Sequence, residues 1–580
     1  MRPPRLALLL ALCLLSFGGP LIQPPAARAA GTWAPAASPA ALGSGDRGGG
    51  ALLPLPDGRA LGLGTRPGRP AEQSRLVAAT YDPATDRWSP PSATAPLDGG
   101  NAAPTPLPDG RVLLVGGYYN PGISPGGGRV LAAAQRYDPA TGAWAPAAPM
   151  ATPRSGHTAT LLRDGTVLVV GGSTRTGYQA GGTTRAAERY DPRTDRWSPA
   201  GQLITGREGH TATPLADGRV LIVGGRPDIL AYGAPAELYD PATNRWTATG
   251  PMVAPRGGEH RATRLADGSV LVTGGYTSRP DASSAFSPQA TAERYDPAAD
   301  RWAAVAPMSS PRNAHSATLL PDGTVLVAGG YANFPSSAPS PPPLASTERY
   351  DPLLGAWLAD APLTTPRTGH GAVPLPDGRV LVVGGTDAPS AELYRPDPAT
   401  FACFTETGQC VAGRFLEYWR EHGGLARNGF PLGPVRSEIL EDGKEYTVQY
   451  FERVRMEYHP ENAPPYDVLL GQFGRRMLRE TEGLAPSAGA SAVPRPGQAF
   501  FPETGHNVAP DVLAYWEANG GLAQFGYPLT EEFAQRLEDG NEYAVQYFER
   551  ARVERHPENA PPYDILLGQF GRQILAEARR

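Results

Sequence analysis

The polar and apolar positions of this chain fall into one pattern written seven times. An Asp-Gly pair is followed by a short apolar run that ends on glycine, starting at Asp57, Asp109, Asp164, Asp217, Asp267, Asp322 and Asp377. In the third copy, residues 156–162 read as a first strand. Arg163-Asp164-Gly165 reads as a hairpin turn, because Asp-Gly takes positive φ readily. Val167 to Val170 is apolar at every position, as expected of a strand buried on both faces, and Gly171-Gly172 ends it. After a loop, Ala187 to Tyr190 reads as a third strand, Asp191-Pro192 as a turn, and Trp197 lies on a fourth.

The step between the aspartates is 50 to 55 residues. A period near 50 with four short β segments per unit predicts a β-propeller, one unit per blade. Six copies also carry Tyr-Asp-Pro and a later Trp: Tyr81/Trp88, Tyr137/Trp144, Tyr190/Trp197, Tyr239/Trp246, Tyr295/Trp302 and Tyr350/Trp357. The double glycine, and the Tyr and Trp with six residues between them, resemble the kelch repeat over residues 30–401. Repeat one departs, with Gly62 and Gly64 in place of the pair. Repeat seven has Tyr394 but Phe401 where Trp is expected. Trp33 precedes repeat one as each repeat's Trp precedes the next. Residues 33–35 are therefore expected to supply the outer strand of the last sheet, covering an edge that would otherwise be open. The expected fold class is mainly β, a seven-bladed propeller followed by two small α+β modules.

Repeats three to seven share polar positions that repeats one and two lack. His157, His210, His260, His315 and His370 stand seven residues before the Asp-Gly, and Glu188, Glu237, Glu293, Glu348 and Glu392 two before the Tyr. Repeats one and two have Gly50 and Ala102, then Ala79 and Gln135. Arg154, Arg207, Arg256, Arg312 and Arg367 lie near each His. Residues that appear and vanish together are expected to touch. One reading is an Arg-Glu-His hydrogen-bond network inside each blade. The other is a ring of arginines and histidines at the axial channel that binds an anionic ligand or a metal, although five histidines in a ring sit too far apart to converge on one ion. Loops after the double glycine hold Tyr118, Tyr276 and Tyr331, aromatic residues suited to sugars or peptides.

From Phe404 the pattern changes. Residues 404–408 return as 501–505, 448–453 as 545–550, and 459–467 as 556–564, always at an offset of 97. These are two copies of one module, 402–481 and 499–580, joined by a Gly/Ser/Pro/Ala linker at 482–498. In copy two, Val508 to Ala518 reads as an amphipathic helix and Asp539-Gly540 as a hairpin turn. Gly-Gly-Leu, Phe-Gly-Tyr-Pro-Leu and Tyr-Phe-Glu resemble the LGFP repeat of secreted bacterial wall-associated proteins. That resemblance implies attachment to cell-envelope material. The Glu452-Arg453 pair and its copy Glu549-Arg550 are expected to be cross-strand pairs.

Composition narrows the rest. Arg2 and Arg5, an apolar run from Leu6 to Phe17 and Ala27-Arg28-Ala29 resemble a cleaved export signal over 1–29, with a retained anchor as the alternative. No later segment is apolar enough to span a membrane, so a secreted or cell-surface protein is expected. Cys403 and Cys410 are then expected to form a local disulfide. A net charge of −5 with no basic patch argues against nucleic acid as a partner. No cofactor or metal set is implied. Galactose oxidase is a kelch-type enzyme whose copper site uses a tyrosine cross-linked to a cysteine, and residues 30–401 contain no cysteine. Sialic-acid mutarotases share the architecture too. The expected function is an exported, non-enzymatic binding protein whose partner is a cell-envelope glycan or surface protein. The alternative is a carbohydrate-active enzyme using the propeller channel.

Overall fold

In the computed structural model, residues 1–30, 40–41, 43–50, 67–74, 93–101, 120–128, 176–181, 228–232, 279–285, 334–341, 353, 387–388, 398–400, 405, 441, 463–465, 474–492, 538, 561–563 and 572–580 fall outside the described residues. The export-signal reading lies outside them. So does most of the linker reading.

The Asp-Gly pairs turn hairpins, and each repeat folds as a four-stranded antiparallel sheet. In the third these strands are Thr158–Leu161, Val167–Val170, Ala186–Asp191 and Arg196–Gln202, inner to outer. Seven such sheets lie between residues 32 and 395. The second strand of the third sheet is buried at all four positions, which is why its sequence is unbroken Val and Leu. The inner strand of each sheet neighbours that of the next, and Gly371–Pro374 of the seventh returns to Leu52–Pro54 of the first. The core follows the same circuit. Apolar clusters lie between consecutive sheets, and Leu52, Ala60 and Tyr81 pack with Val373, Leu381 and Leu393 across the last junction. The fold is mainly β and fits a propeller.

The outer strand of the seventh sheet comes from the start of the described chain. Thr32–Ala36 pairs antiparallel with Ala391–Arg395, placing Trp33 opposite Tyr394. Their ring centroids are 5.1 Å apart, close to the 4.9–5.3 Å of Tyr239/Trp246 and Tyr81/Trp88. Trp33 Nε1 donates to Ala361 O of the sixth repeat, as Trp197 does to Ala148 and Trp357 to Ala306. Each outer tryptophan is thus a clip to the preceding sheet. Phe401 does not take that place. It lies on Phe401–Phe404, paired with Gln409–Ala412 in the first tail module.

The double glycine has a steric cause where the next repeat carries an Arg–His pair. A Cβ on Gly171 would meet Arg207 O at 2.6 Å and His210 Cε1 at 3.0 Å, both from the next repeat. On Gly172 it would meet Ser155 O at 2.7 Å and His157 Cβ at 2.9 Å, from its own. Both residues also sit at positive φ, 61° and 95°. Gly384 meets nothing within 4 Å, and the repeat that follows it in the circuit has no such Arg–His pair.

The tail holds two α+β modules sharing one core. Gly413–Glu421 and Pro510–Ala518 are helices, each followed after a Gly-Gly by a second short one, Gly424–Asn428 and Gly521–Phe525. Each module has a four-stranded sheet. Val448, Tyr450 and Phe473 of the first pack against Val545, Tyr547 and Phe570 of the second, all buried. Cys403 and Cys410 are cross-strand neighbours joined by a disulfide (2.07 Å), and Phe500 and Asn507 occupy the same register in the second copy.

Removing the closing tryptophan should loosen the circuit. Trp33→Ala is expected to lower stability by about 2–4 kcal/mol in urea unfolding, as large-to-small changes at packed aromatic sites do. A loss below about 0.5 kcal/mol, typical of a surface change, would show that the strand adds no closure.

Candidate functional site

Repeats three to seven each hold a buried ion pair. Arg154 donates from Nη2 to Glu188 Oε1 at 2.6 Å, and from Nη1 to the carbonyls of Gly171 and Ala186 at 2.9 and 2.7 Å. Glu188 also accepts the backbone N–H groups of Ala151 and Thr152, at 2.7 and 3.1 Å. Arg207–Glu237, Arg256–Glu293, Arg312–Glu348 and Arg367–Glu392 repeat the pair. All five guanidiniums are 0 % exposed and all five glutamates are buried. These arginines, expected as candidate ligand contacts, offer no surface to a ligand. They fix the loop that carries the chain from one outer strand to the next inner strand. Such a pair is tolerated because nearly every lone pair and proton is met.

The histidines do not join that network. His210 Nε2 lies 2.9 Å from Thr158 Oγ1, His260 Nε2 3.1 Å from Thr211 Oγ1, and His370 Nε2 2.9 Å from Ser316 Oγ. Each contact crosses from one repeat to the one before it. The three-residue network inside one blade therefore separates into an Arg–Glu pair within a repeat and, for His210, His260, His315 and His370, a His–hydroxyl clip between repeats. Burial pushes His157, His260 and His370 down to about 3, with the neighbouring arginine adding to the effect. They are neutral framework groups at neutral pH. The hydroxyl partners had a legible signal, since Thr158, Thr211 and Ser316 directly follow a repeat histidine or its equivalent.

Tyr118, Tyr276 and Tyr331 all emerge just past a double glycine, at one end of the circuit, and each is half-buried. Tyr118–Tyr119 pairs with Arg129–Val130, and Tyr276–Ser278 with Phe286–Pro288. Tyr331 exchanges backbone hydrogen bonds with Asn313. The hairpin end differs. There a cavity of about 840 Å3 opens between sheets four to six and the first tail module, lined in part by Asp217, Arg219, Asp267, Arg294, Glu445 and Tyr446. Its charges are largely paired locally, Asp217 with Arg219 and Asp267 with Arg294.

In the tail, Glu452 and Arg453 are not a cross-strand pair. Glu452 accepts the N–H of Phe430 and Arg453 donates to Leu425 O, and Glu549 and Arg550 repeat this with Tyr527 and Leu522. Both residues brace the second helix of the module. Arg455 binds Glu457 at 2.6 Å, and His459 lies between Glu457 and Glu461 with its ring 4.1 Å from that of Tyr446. Arg552, Glu554, His556 and Glu558 copy the set. Trp419 and Trp516 are half-buried and donate to Gly429 O and Gly526 O. Among the described residues no group of three or more His, Cys, Asp or Glu could hold a metal ion. No helix among them is long and apolar enough to cross a membrane.

The kelch motif family matches residues 153–203. Kelch-like protein 23 of Homo sapiens is 26 % identical over 263 residues, 45 % of this chain and 42 % of that protein. An F-box/kelch-repeat protein of Arabidopsis thaliana is 36 % identical over 115 residues, 18 % of this chain and 30 % of that protein. The chain thus spans less than half the length of either relative. A fungal alcohol oxidase of the AA5 family, solved with copper, superposes with a TM-score of 0.49 at 16 % identity, over 74 % of this chain and 97 % of that one. The kelch match thus falls on the third repeat, and the other repeats share its spacing.

Two outcomes test the framework. Glu237→Gln leaves the Arg207 charge without a counter-charge and is expected to cost about 3–5 kcal/mol in chemical unfolding, whereas Arg207→Met with Glu237→Leu should cost much less. Equal losses would remove the buried pair from the argument. The histidines add a pH dependence. His260 has an ordinary value of 6.5 and is lowered on folding, so its full contribution is present above pH 6.5 and is lost as the pH falls toward 3. Each such histidine adds up to about 1.4 kcal/mol per pH unit in that window. Stability measured at pH 7 and 5 should fall less for His260→Gln than for the unchanged protein.

Proposed function

We propose that the seven sheets form a seven-bladed kelch propeller that serves as an exported interaction platform, held to cell-envelope material by the two LGFP-like modules. Kelch repeats suggest a protein-interaction platform. The observation that carries the reading is uniformity. The same buried Arg–Glu pair and inter-sheet histidine recur through repeats three to seven. Catalysis draws on perturbed groups gathered in one place. Here the perturbed groups are spread around the circuit and withdrawn from solvent. The long loops past the double glycines place Tyr118, Tyr276 and Tyr331 at one end, where a surface protein or glycan would meet aromatic residues.

The tail supports attachment through duplication. Both modules keep the same braced hairpin and the same Arg-Glu-His-Glu set, so the pair presents equivalent surfaces twice. A second reading, a carbohydrate-active enzyme, is favoured by one observation: the fifth repeat alone places both an arginine and a glutamate beside its histidine, at Arg261 and Glu259.

Sedimentation with purified bacterial cell wall tests the platform reading. The full chain should co-sediment, and a chain ending at residue 401 should bind at least about tenfold more weakly. Equal binding by the shortened chain would move attachment to the propeller. Deleting one module is not a clean test, because it would expose the shared face of Val448, Tyr450 and Phe473.

A further inference from the structure

The first sheet is closed by a contact that its sisters lack. In repeats three to seven the buried arginine stands ten residues after the tryptophan before it, as in Trp144/Arg154, Trp197/Arg207 and Trp357/Arg367. Counted from Trp33, the same stretch brings Leu42, nine residues on. Leu42 is 5 % exposed. It packs against Val77 and Ala79, with Trp88 beside them. Val77 and Ala79 occupy the places of Ala186 and Glu188 in the third repeat, four and two residues before the sheet's tyrosine. Ala186 O and the Glu188 carboxylate are what Arg154 binds. Leu42 therefore fills the site of the arginine, and apolar contact replaces the ion pair.

The two glycines that make repeat one irregular leave room for it. A Cβ on Gly62 would stand 2.6 Å from Leu42 Cδ1, and one on Gly64 would overlap Leu42 O. In the third repeat those positions are Val169 and Gly171. The residues before Leu42 span two sheets. Thr32–Ala36 is the outer strand of the seventh, and Ser38 Oγ donates to Pro389 O at 2.6 Å. Toward the first sheet, Ala37 N–H donates to Asp86 Oδ1 at 3.0 Å and Trp88 Nε1 to Ala37 O at 2.8 Å. The segment thus ties the seventh sheet to the first.

The ties that it stands in for are more numerous elsewhere. At each seam from the third sheet to the seventh, a hydroxyl meets a histidine of the next repeat. The first glycine also lies against the next arginine's carbonyl, and a Cβ on Gly171 or Gly224 would stand 2.6 Å from it. The seventh-to-first seam has Gly50 at the histidine position, and among the described residues a Cβ on Gly384 would meet nothing within 4 Å. Arg379 does donate across it to Pro83 O, at 2.7 Å, but Arg219 and Pro297 make the same contact between sheets four and five. Ala79 cannot accept the two backbone N–H groups that Glu188, Glu237 and Glu392 accept at the entry to their inner strands. The outer strand of the first sheet is only Arg87–Trp88. A sheet with fewer polar ties than its neighbours opens ahead of them.

We infer that the first sheet is the moving part of the circuit, and that residues 31–42 are a strap whose catch is Leu42. When Leu42 leaves its place over Gly62 and Gly64, the seventh and first sheets part along the face where Leu52, Ala60 and Tyr81 meet Val373, Leu381 and Leu393. An apolar slot then opens in the side of the circuit, while repeats three to seven hold as one arc. The device is independent of the tail and of what the propeller binds.

Amide hydrogen exchange of the full chain, read by mass spectrometry, tests this. Peptides from Ala60–Arg66 and Arg75–Asp82 should exchange at least about tenfold faster than those from Val220–Val223 and Glu237–Asp240 of the fourth sheet. Leu42→Ala should speed the first-sheet peptides and Ala391–Arg395 by at least about tenfold more, and leave the fourth sheet unchanged. Leu42→Val, a smaller truncation, should give an intermediate rise, and it serves in place of the alanine variant should that one fail to fold. Equal protection of the first and fourth sheets in the unchanged protein would overturn the inference. So would a Leu42 variant that speeds exchange in all seven sheets alike, or in none.

Discussion

The buried Arg–Glu pair is the constraint on which the ring depends. In the third repeat its carboxylate accepts two backbone N–H groups from the loop that enters the inner strand, and its guanidinium holds the carbonyls at the end of the second and start of the third strand. One charge pair thereby fixes where the chain enters a sheet and where the double glycine lies. The arginine's own carbonyl then sits against the first glycine of the preceding repeat. In repeats three to seven a side chain with planar, forked donors sets the seam more sharply than apolar packing alone. Breaking one partner is costly for the same reason, since the other is left charged in the interior.

Much of the fold was legible because it is periodic. The Asp-Gly hairpins, the four apolar residues of the second strand and the position of Trp33 relative to Tyr394 follow from spacing alone. The arginines were legible as partners of the glutamates and illegible as buried. Co-occurrence says that residues touch, and says nothing of how far from water they do so. The histidines show a second limit. In a repeat protein, a residue paired within its own copy and one paired with the next copy leave the same periodic trace. His210 meets Thr158, not Glu237, and only the position of neighbouring sheets distinguishes the two.

In the tail, a gapless duplication and a linker rich in small residues predict two separate modules. Tyr543, Val545 and Tyr547 alternate correctly along a strand, yet alternation does not name what covers the apolar face. The covering surface is the other copy. Val448 and Tyr450 stand at the equivalent positions, and the two faces, each too apolar for water, bury one another.

That shared core changes what duplication can do. Two modules on a loose tether gain affinity through an effective concentration set by linker length. Two modules packed through their sheets hold their equivalent surfaces at one fixed separation. The gain is then large for a target whose repeat matches that separation and absent for one that does not. A polymer with regular chemistry, such as a wall glycan, meets that condition more readily than an isolated protein epitope. The rigidity of the tail and the uniformity of the propeller therefore have a common consequence. Both halves hold repeated groups at spacings set by buried contacts, and on the proposed reading selectivity enters where one repeat departs from its sisters.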